Sequence, residues 1–132
     1  MNARIAVGTE GQVRFTVEPK HTIDFNVAGL APVLSTPSLV WFLEHAGIEA
    51  LKPGLQPGEI SVGTDLEVQH VAPTPVGLTV TCLARVVQTD GPVISFHVEA
   101  HDGSEPIARG FHKRRIIRAE SFARRLQAKP AA

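Results

Sequence analysis

The sequence predicts an α+β fold in which an antiparallel sheet wraps around one central helix. Three observations carry that expectation. Apolar and polar residues alternate along several stretches, the pattern of half-buried strands. One stretch instead repeats its apolar residues at helical spacing. The stretches after that helix are joined by short turns, which suit antiparallel neighbours and not parallel crossovers.

The first strand is Val13-Arg14-Phe15-Thr16-Val17-Glu18, which alternates and is closed by Pro19. An irregular segment follows to Pro32. At Thr36-Pro37 the period changes: a hydroxyl residue followed by proline is how a helix begins, with Thr36 as the N-cap, a role worth ~1 kcal/mol. Pro53-Gly54 stops the helix after Lys52. Four strand-like stretches come next, from about Ser61 to Val71, Leu78 to Val87, Val93 to His101 and Ile107 to Ile117. The turns between them are marked by Pro73-Thr74-Pro75-Val76-Gly77, Asp90-Gly91-Pro92 and Asp102-Gly103-Ser104. From Ala119 to Leu126 the composition is helical again, with Phe122 and Leu126 four apart. A sheet wrapped around a single helix is the hotdog architecture. The chain reads as one domain over residues 1–132, with a core at about 13–118, a helical tail at about 119–128 and a fraying end.

With 132 residues and 43% hydrophobic content, the chain can bury one sizeable core. Thirteen basic and thirteen acidic side chains cancel, so no global field recruits nucleic acid or an anionic membrane. The opening Met1-Asn2-Ala3-Arg4-Ile5-Ala6-Val7 lacks the apolar core of a signal peptide, and no apolar run approaches the ~20 residues of a membrane helix. A soluble, cytoplasmic protein is expected. The lone Cys82 shares strand parity with Val80, Ala84 and Val86, which reads as a core thiol.

Two polar residues fall where apolar ones belong. On the helix, Val40, Glu44, Gly47, Ile48 and Leu51 form one stripe, while Trp41, His45, Glu49 and Lys52 form a more polar one, with His45 and Glu49 spaced to pair. A carboxylate among aliphatic side chains is costly, so Glu44 serves either structure, bonded to a loop or reaching water, or chemistry. In the next strand the even positions Val62, Leu66 and Val68 face inward, Asp65, Glu67 and Gln69 face outward, and His70 takes the inward parity. Beside an inward carboxylate an imidazole is a general base near neutral pH; the alternative is a core histidine bonded to backbone. His97 and His101 lie outward beside Glu99, and His112 is assigned to neither face. His97-Val98-Glu99-Ala100-His101 sits on a strand, where helical metal-ligand geometry fails, so no metal is expected.

Several segments together resemble the fluoroacetyl-CoA thioesterase family of hotdog proteins. They are Ser35-Thr36-Pro37 leading to Leu43-Glu44-His45-Ala46, Ser61-Val62-Gly63-Thr64, His70 through Val80, Ala100-His101-Asp102-Gly103, and Gly110-Phe111-His112. The resemblance implies a catalytic set of Thr36, Glu44 and His70, with the Gly63 N–H as oxyanion donor. It also implies a homodimer with the acyl site at the subunit boundary, and no cofactor, CoA being part of the substrate. Where the family's fluoroacetyl-CoA member has aromatic residues before the threonine, this chain has Val27, Leu30 and Val33, with Phe25 further back. That stretch predicts hydrolysis of a range of short or medium acyl groups without selectivity for fluoroacetate. Arg114, in the run Lys113-Arg114-Arg115 with Arg118, Arg124 and Arg125 beyond, is a candidate for the CoA phosphates, the alternative being a solvated edge. The expected function is acyl-CoA thioester hydrolysis. A hotdog enoyl-CoA hydratase or dehydratase, and a non-catalytic acyl-CoA binding module, are the alternatives.

Overall fold

The computed structural model of the chain describes residues 4–131; Met1 to Ala3, which open the N-terminal segment read above, and Ala132 lie outside the described residues. Its elements are β1 (Glu10–Thr16), β2 (Thr22–Ile23), β3 (Val33–Leu34), α1 (Thr36–Leu51), β4 (Glu59–His70), β5 (Thr79–Asp90), β6 (Val93–His101), β7 (Pro106–Arg118) and α2 (Ala119–Gln127). The long strands form one sheet in the order β1-β5-β6-β7-β4, antiparallel throughout, and β2 and β3 make a separate two-stranded ribbon. The sheet curls around α1, the expected hotdog arrangement, with β1 and β4 at its edges. Among the described residues no helix is long and apolar enough to cross a membrane.

The inward parity of β5 and β6 is apolar without exception: Val80, Cys82, Ala84 and Val86, then Ile94, Phe96, Val98 and Ala100, all buried. Against them α1 sets Leu39, Leu43, Ala46, Ala50 and Leu51. Each fully buried leucine contributes about 1.5–3 kcal/mol of transfer free energy. This stripe is rotated from the one read off the sequence. α1 lies mainly along β1 and β5, so the sheet covers its Leu39-Leu43-Ala46-Ala50 face. Val40, Glu44 and Ile48 are left half-buried on the flank. Hydrophobic spacing alone left both faces admissible, because α1 is apolar over much of its circumference.

Two further corrections shape the site. The N-cap of α1 is Ser35, not Thr36: the Ser35 hydroxyl accepts the Ser38 N–H at 3.3 Å, and Thr36 is the first helical residue. In β4, the pairing with β7 runs Val62 to Arg115 and Gly63 to Arg114, then jumps to Asp65 opposite Lys113. Thr64 is the extra residue of a β-bulge. Strand parity reverses across a bulge. Ser61 and Gly63 therefore face inward before it, and Leu66, Val68 and His70 after it, whereas Val62, expected inward, shares the outward side of Arg115.

Candidate active site

Thr36 and His70 meet where the start of α1 passes the end of β4. Thr36 Oγ1 lies 2.8 Å from His70 Nδ1. Because Ser35 does the capping, the Thr36 hydroxyl is free for this contact. Backbone bonds fix the approach on both sides: the Leu34 N–H donates to the Thr74 carbonyl at 2.8 Å, and the Ser35 N–H to the His21 carbonyl at 2.9 Å. The segment before the helix and the loop after β4 are thus tied together. Thr74 is buried in turn and donates its hydroxyl to Asp102 at 3.1 Å.

A pocket of about 380 Å³ opens beside the pair, lined among others by Ile23, Phe25, Val33, Thr36, Pro37 and His70. Of the three aliphatic residues expected there, Val33 lines it, while Val27 and Leu30 are exposed outside it. Phe25, noted further back in the sequence, turns out to supply an aromatic wall of the pocket. Burial pushes the His70 imidazole below its ordinary value of 6.5, with the Ala72 backbone opposing in part. The ring is therefore held neutral. Its Nε2 atom is buried with no hydrogen-bond partner among the described residues, so Nδ1, on Thr36, is the nitrogen that communicates with the pocket.

Glu44 sits two turns further along α1, about 12 Å from Thr36 at 1.5 Å per residue. Its surroundings are different. Gly63 faces it so closely that a Cβ there would lie 2.5 Å from Glu44 Oε2. Arg114 Nη1 is 3.4 Å from the same oxygen. The guanidinium also donates from Nε to Ser61 Oγ at 2.9 Å, from Nη2 to the Ser61 carbonyl at 3.0 Å, and from Nη1 to His112 Nε2 at 3.1 Å. Arg114 is 4% exposed, so the expectation of a surface arginine for CoA phosphates is corrected: it shares the inward parity of β7 with His112 and Ile116 and is spent on protein partners. Burial lowers its basicity, Glu44 acting the other way, and burial likewise holds His112 below 6.5.

The structure thus brings Thr36 to His70 and Glu44 to Gly63, but not the two pairs to each other within one chain. Ser61, His112 and Phe25 were missed as site residues. Parity would have found His112, since it and Arg114 alternate with Ile116, but the basic run read as solvated edge. Among the described residues, no three His, Cys, Asp or Glu side chains converge as a metal site. Cys82 is buried, and burial pushes its thiol up to about 12.

Against known proteins, residues 17–120 match the family described as fluoroacetyl-CoA-specific thioesterase. The fluoroacetyl-CoA thioesterase of Streptantibioticus cattleyicolor is 36% identical over the whole of this chain and 99% of its own length. A solved structure of a fluoroacetyl-CoA thioesterase superposes with a TM-score of 0.84 at 37% identity, over 95% of this chain and 98% of that one. A Thermus thermophilus protein described as a thioesterase superfamily member gives 0.82 at 30% identity over 93% of each chain. A hot-dog-like protein from Thermanaerovibrio acidaminovorans, 24% identical, gives 0.88 over 99% of this chain and 97% of its own, a likeness of fold.

Proposed function

The chain belongs to the fluoroacetyl-CoA-specific thioesterase family and is a thioester hydrolase, and we propose that it cleaves short or medium acyl-CoA thioesters in sites completed by a second copy of itself. The observation that carries the reading is the Thr36 Oγ1 contact with His70 Nδ1 at the mouth of a pocket. A neutral imidazole bonded to a hydroxyl is the pairing that activates an oxygen nucleophile. The second-copy requirement follows from distance: with about 12 Å of helix between them, Thr36 and Glu44 of one chain cannot address the same carbonyl carbon. A two-fold axis that sets two copies of α1 side by side brings one chain's Thr36 and His70 toward its partner's other pair.

In this reading the Thr36 oxygen attacks the thioester carbonyl and its proton passes to His70 Nδ1. The Gly63 N–H of the second copy stabilises the oxyanion. Collapse breaks the C–S bond, and the thiolate leaves with the proton from His70. Glu44 of the second copy then takes a proton from a water, whose hydroxide adds to the acyl carbon; the bond from that carbon to Thr36 Oγ1 breaks, the acid leaves, and the proton passes from Glu44 back to Thr36 Oγ1. The reaction needs no cofactor. The acyl group lies against Ile23, Val33 and Phe25, an apolar lining with one aromatic wall. Such a lining separates chain lengths by only about 1–3 kcal/mol per methylene, which suits a range of short and medium acyl groups.

The test is release of free CoA thiol from a panel of acyl-CoAs, acetyl to octanoyl with fluoroacetyl included, followed with a chromogenic thiol reagent. Cys82 adds no background, since its thiol is buried. Turnover of several acyl-CoAs is the expected result. No release from any member contradicts the reading, and release from fluoroacetyl-CoA alone contradicts the proposed breadth.

A further inference from the structure

The cluster behind Glu44 contains more polar chemistry than an ion pair requires. A guanidinium that is 4% exposed has lost its water, and four of its N–H bonds find oxygen or nitrogen within the protein. Such a buried network seldom adds stability over apolar residues of equal volume. Here it ends on a carboxylate whose side chain remains 37% exposed.

His112 is the hinge of that network, and its hydrogen bonds settle its proton. Nδ1 lies 2.9 Å from the Asp65 carbonyl, which only accepts, so Nδ1 carries the hydrogen. Nε2 lies 3.1 Å from Arg114 Nη1, which only donates, so Nε2 is bare. The ring is 2% exposed and lies against Phe96, with ring centroids 5.9 Å apart. Asp65 is the residue where pairing resumes after the β4 bulge. Two glycines leave the room: a Cβ at Gly47 would lie 3.3 Å from both Arg114 Cδ and His112 Cδ2, and one at Gly63 would lie 3.2 Å from Arg114 Nη1 and from His112 Cε1. A glycine inside a helix costs about 1 kcal/mol relative to alanine, so Gly47 keeps space at the expense of helix stability.

We propose that His112 is a positioning residue for the hydrolysis: anchored on the Asp65 carbonyl, it offers Nε2 to Arg114 Nη1 and so fixes where the guanidinium meets Glu44. The contact with Glu44, at 3.4 Å, is long for a charge-assisted bond and leaves the carboxylate free to act. The hydrogen bonds of the His112 ring go to the Asp65 carbonyl and to Arg114, so its effect on Glu44 passes through Arg114. The inference rests on the proposed role of Glu44.

Two conservative variants separate positioning from packing. In His112→Gln the amide oxygen reaches the place of Nε2 and restores the acceptor for Arg114. In His112→Asn the side chain reaches the Asp65 carbonyl but not Arg114. The expectation is that His112→Asn lowers kcat by about 10²-fold, the cost of a misplacement near 1 Å. KM should stay close to wild type and His112→Gln should recover most of the rate, while the two variants melt at similar temperatures. Equal activity in both, or rates that follow Tm, would overturn the proposal. A second measurement does not depend on turnover or on either variant folding: ¹⁵N NMR of the wild-type ring should show the Nδ1–H tautomer at neutral pH. An Nε2–H tautomer or an imidazolium there would also overturn it. If the wild type releases no thiol from any acyl-CoA, the thioesterase reading fails by itself, and the NMR result still decides whether His112 holds Arg114.

Discussion

The two polar clusters along α1 are built on opposite principles. At Thr36 and His70, burial acts on a ring held by one short hydrogen bond to Thr36 and opposed only in part by the Ala72 backbone. Around Glu44, burial encloses a cation, and each of its nitrogens finds a protein partner. The first arrangement keeps a base unprotonated and available; the second fixes a charge and its direction. Two turns of helix separate them within one chain. In the proposed reaction the sparsely bonded cluster is where protons move and the saturated one is where geometry is held.

The largest break in that comparison comes from removing the base. His70→Ala should lower kcat/KM by about 10²–10⁴-fold, the range for a general acid or base, with little change in Tm because the ring is only half-buried. An unaltered rate would remove His70 from the chemistry. Next in size, Gly63→Ala sets a methyl against Glu44 Oε2 and Arg114 Nη1 and should cost on the order of 10²-fold in kcat by displacing the carboxylate. A neutral outcome would mean that Glu44 has room to move.

The pH profile sharpens the same contrast. Burial, the leading cause, places the folded His70 below 6.5, so its working neutral form persists into mildly acidic solution and kcat/KM should hold below pH 6.5 before it falls. For stability the sign is the same for His70 and His112. Both bind a proton less readily folded than unfolded, so their contribution is intact above the unfolded value and declines as the pH drops below about 6.5. Denaturant titrations from pH 8 to pH 5 check this, and stability that rises on acidification would contradict it. The smallest effect separates two adjacent hydroxyls. Ser35→Ala should cost about 1 kcal/mol of stability and little activity, and Thr36→Ala the reverse. Tm and rate on the same pair of variants decide it.

The architecture was legible because turns and periods agree: β4 to β7 and both helices lie close to where alternation, Pro53-Gly54 and the Asp-Gly turns put them, whereas β1 runs Glu10–Thr16 and not Val13–Glu18, and β2 falls in the segment read as irregular. His70 was readable as inward because the residues after the bulge keep the even parity that was counted. Val62 was not, since nothing in Ser61-Val62-Gly63-Thr64 announces the extra residue at Thr64. The cap was misplaced by one residue, as Ser35 and Thr36 are chemically equivalent caps and only the backbone direction chooses between them. Arg114 was read as solvated because its neighbours Lys113 and Arg115 are, although parity alone puts it on the other face. The set of Thr36, Glu44 and His70 came from the family resemblance, and inward parity alone did not say how far apart its members lie within one chain. Inward is a direction and not a distance, and helical rise separates the two clusters.

In the proposed enzyme each site takes Thr36 and His70 from one chain and Glu44 and Gly63 from another. Mixing subunits tests it directly: His70→Ala and Glu44→Ala proteins, each inactive alone, are unfolded together and refolded at equal concentration. Half of randomly paired dimers are then mixed, and each carries one intact site of two, so thiol release should return to about a quarter of the wild-type rate. A mixture as inactive as its two components would place His70 and Glu44 in one chain's site and contradict the proposed shared site.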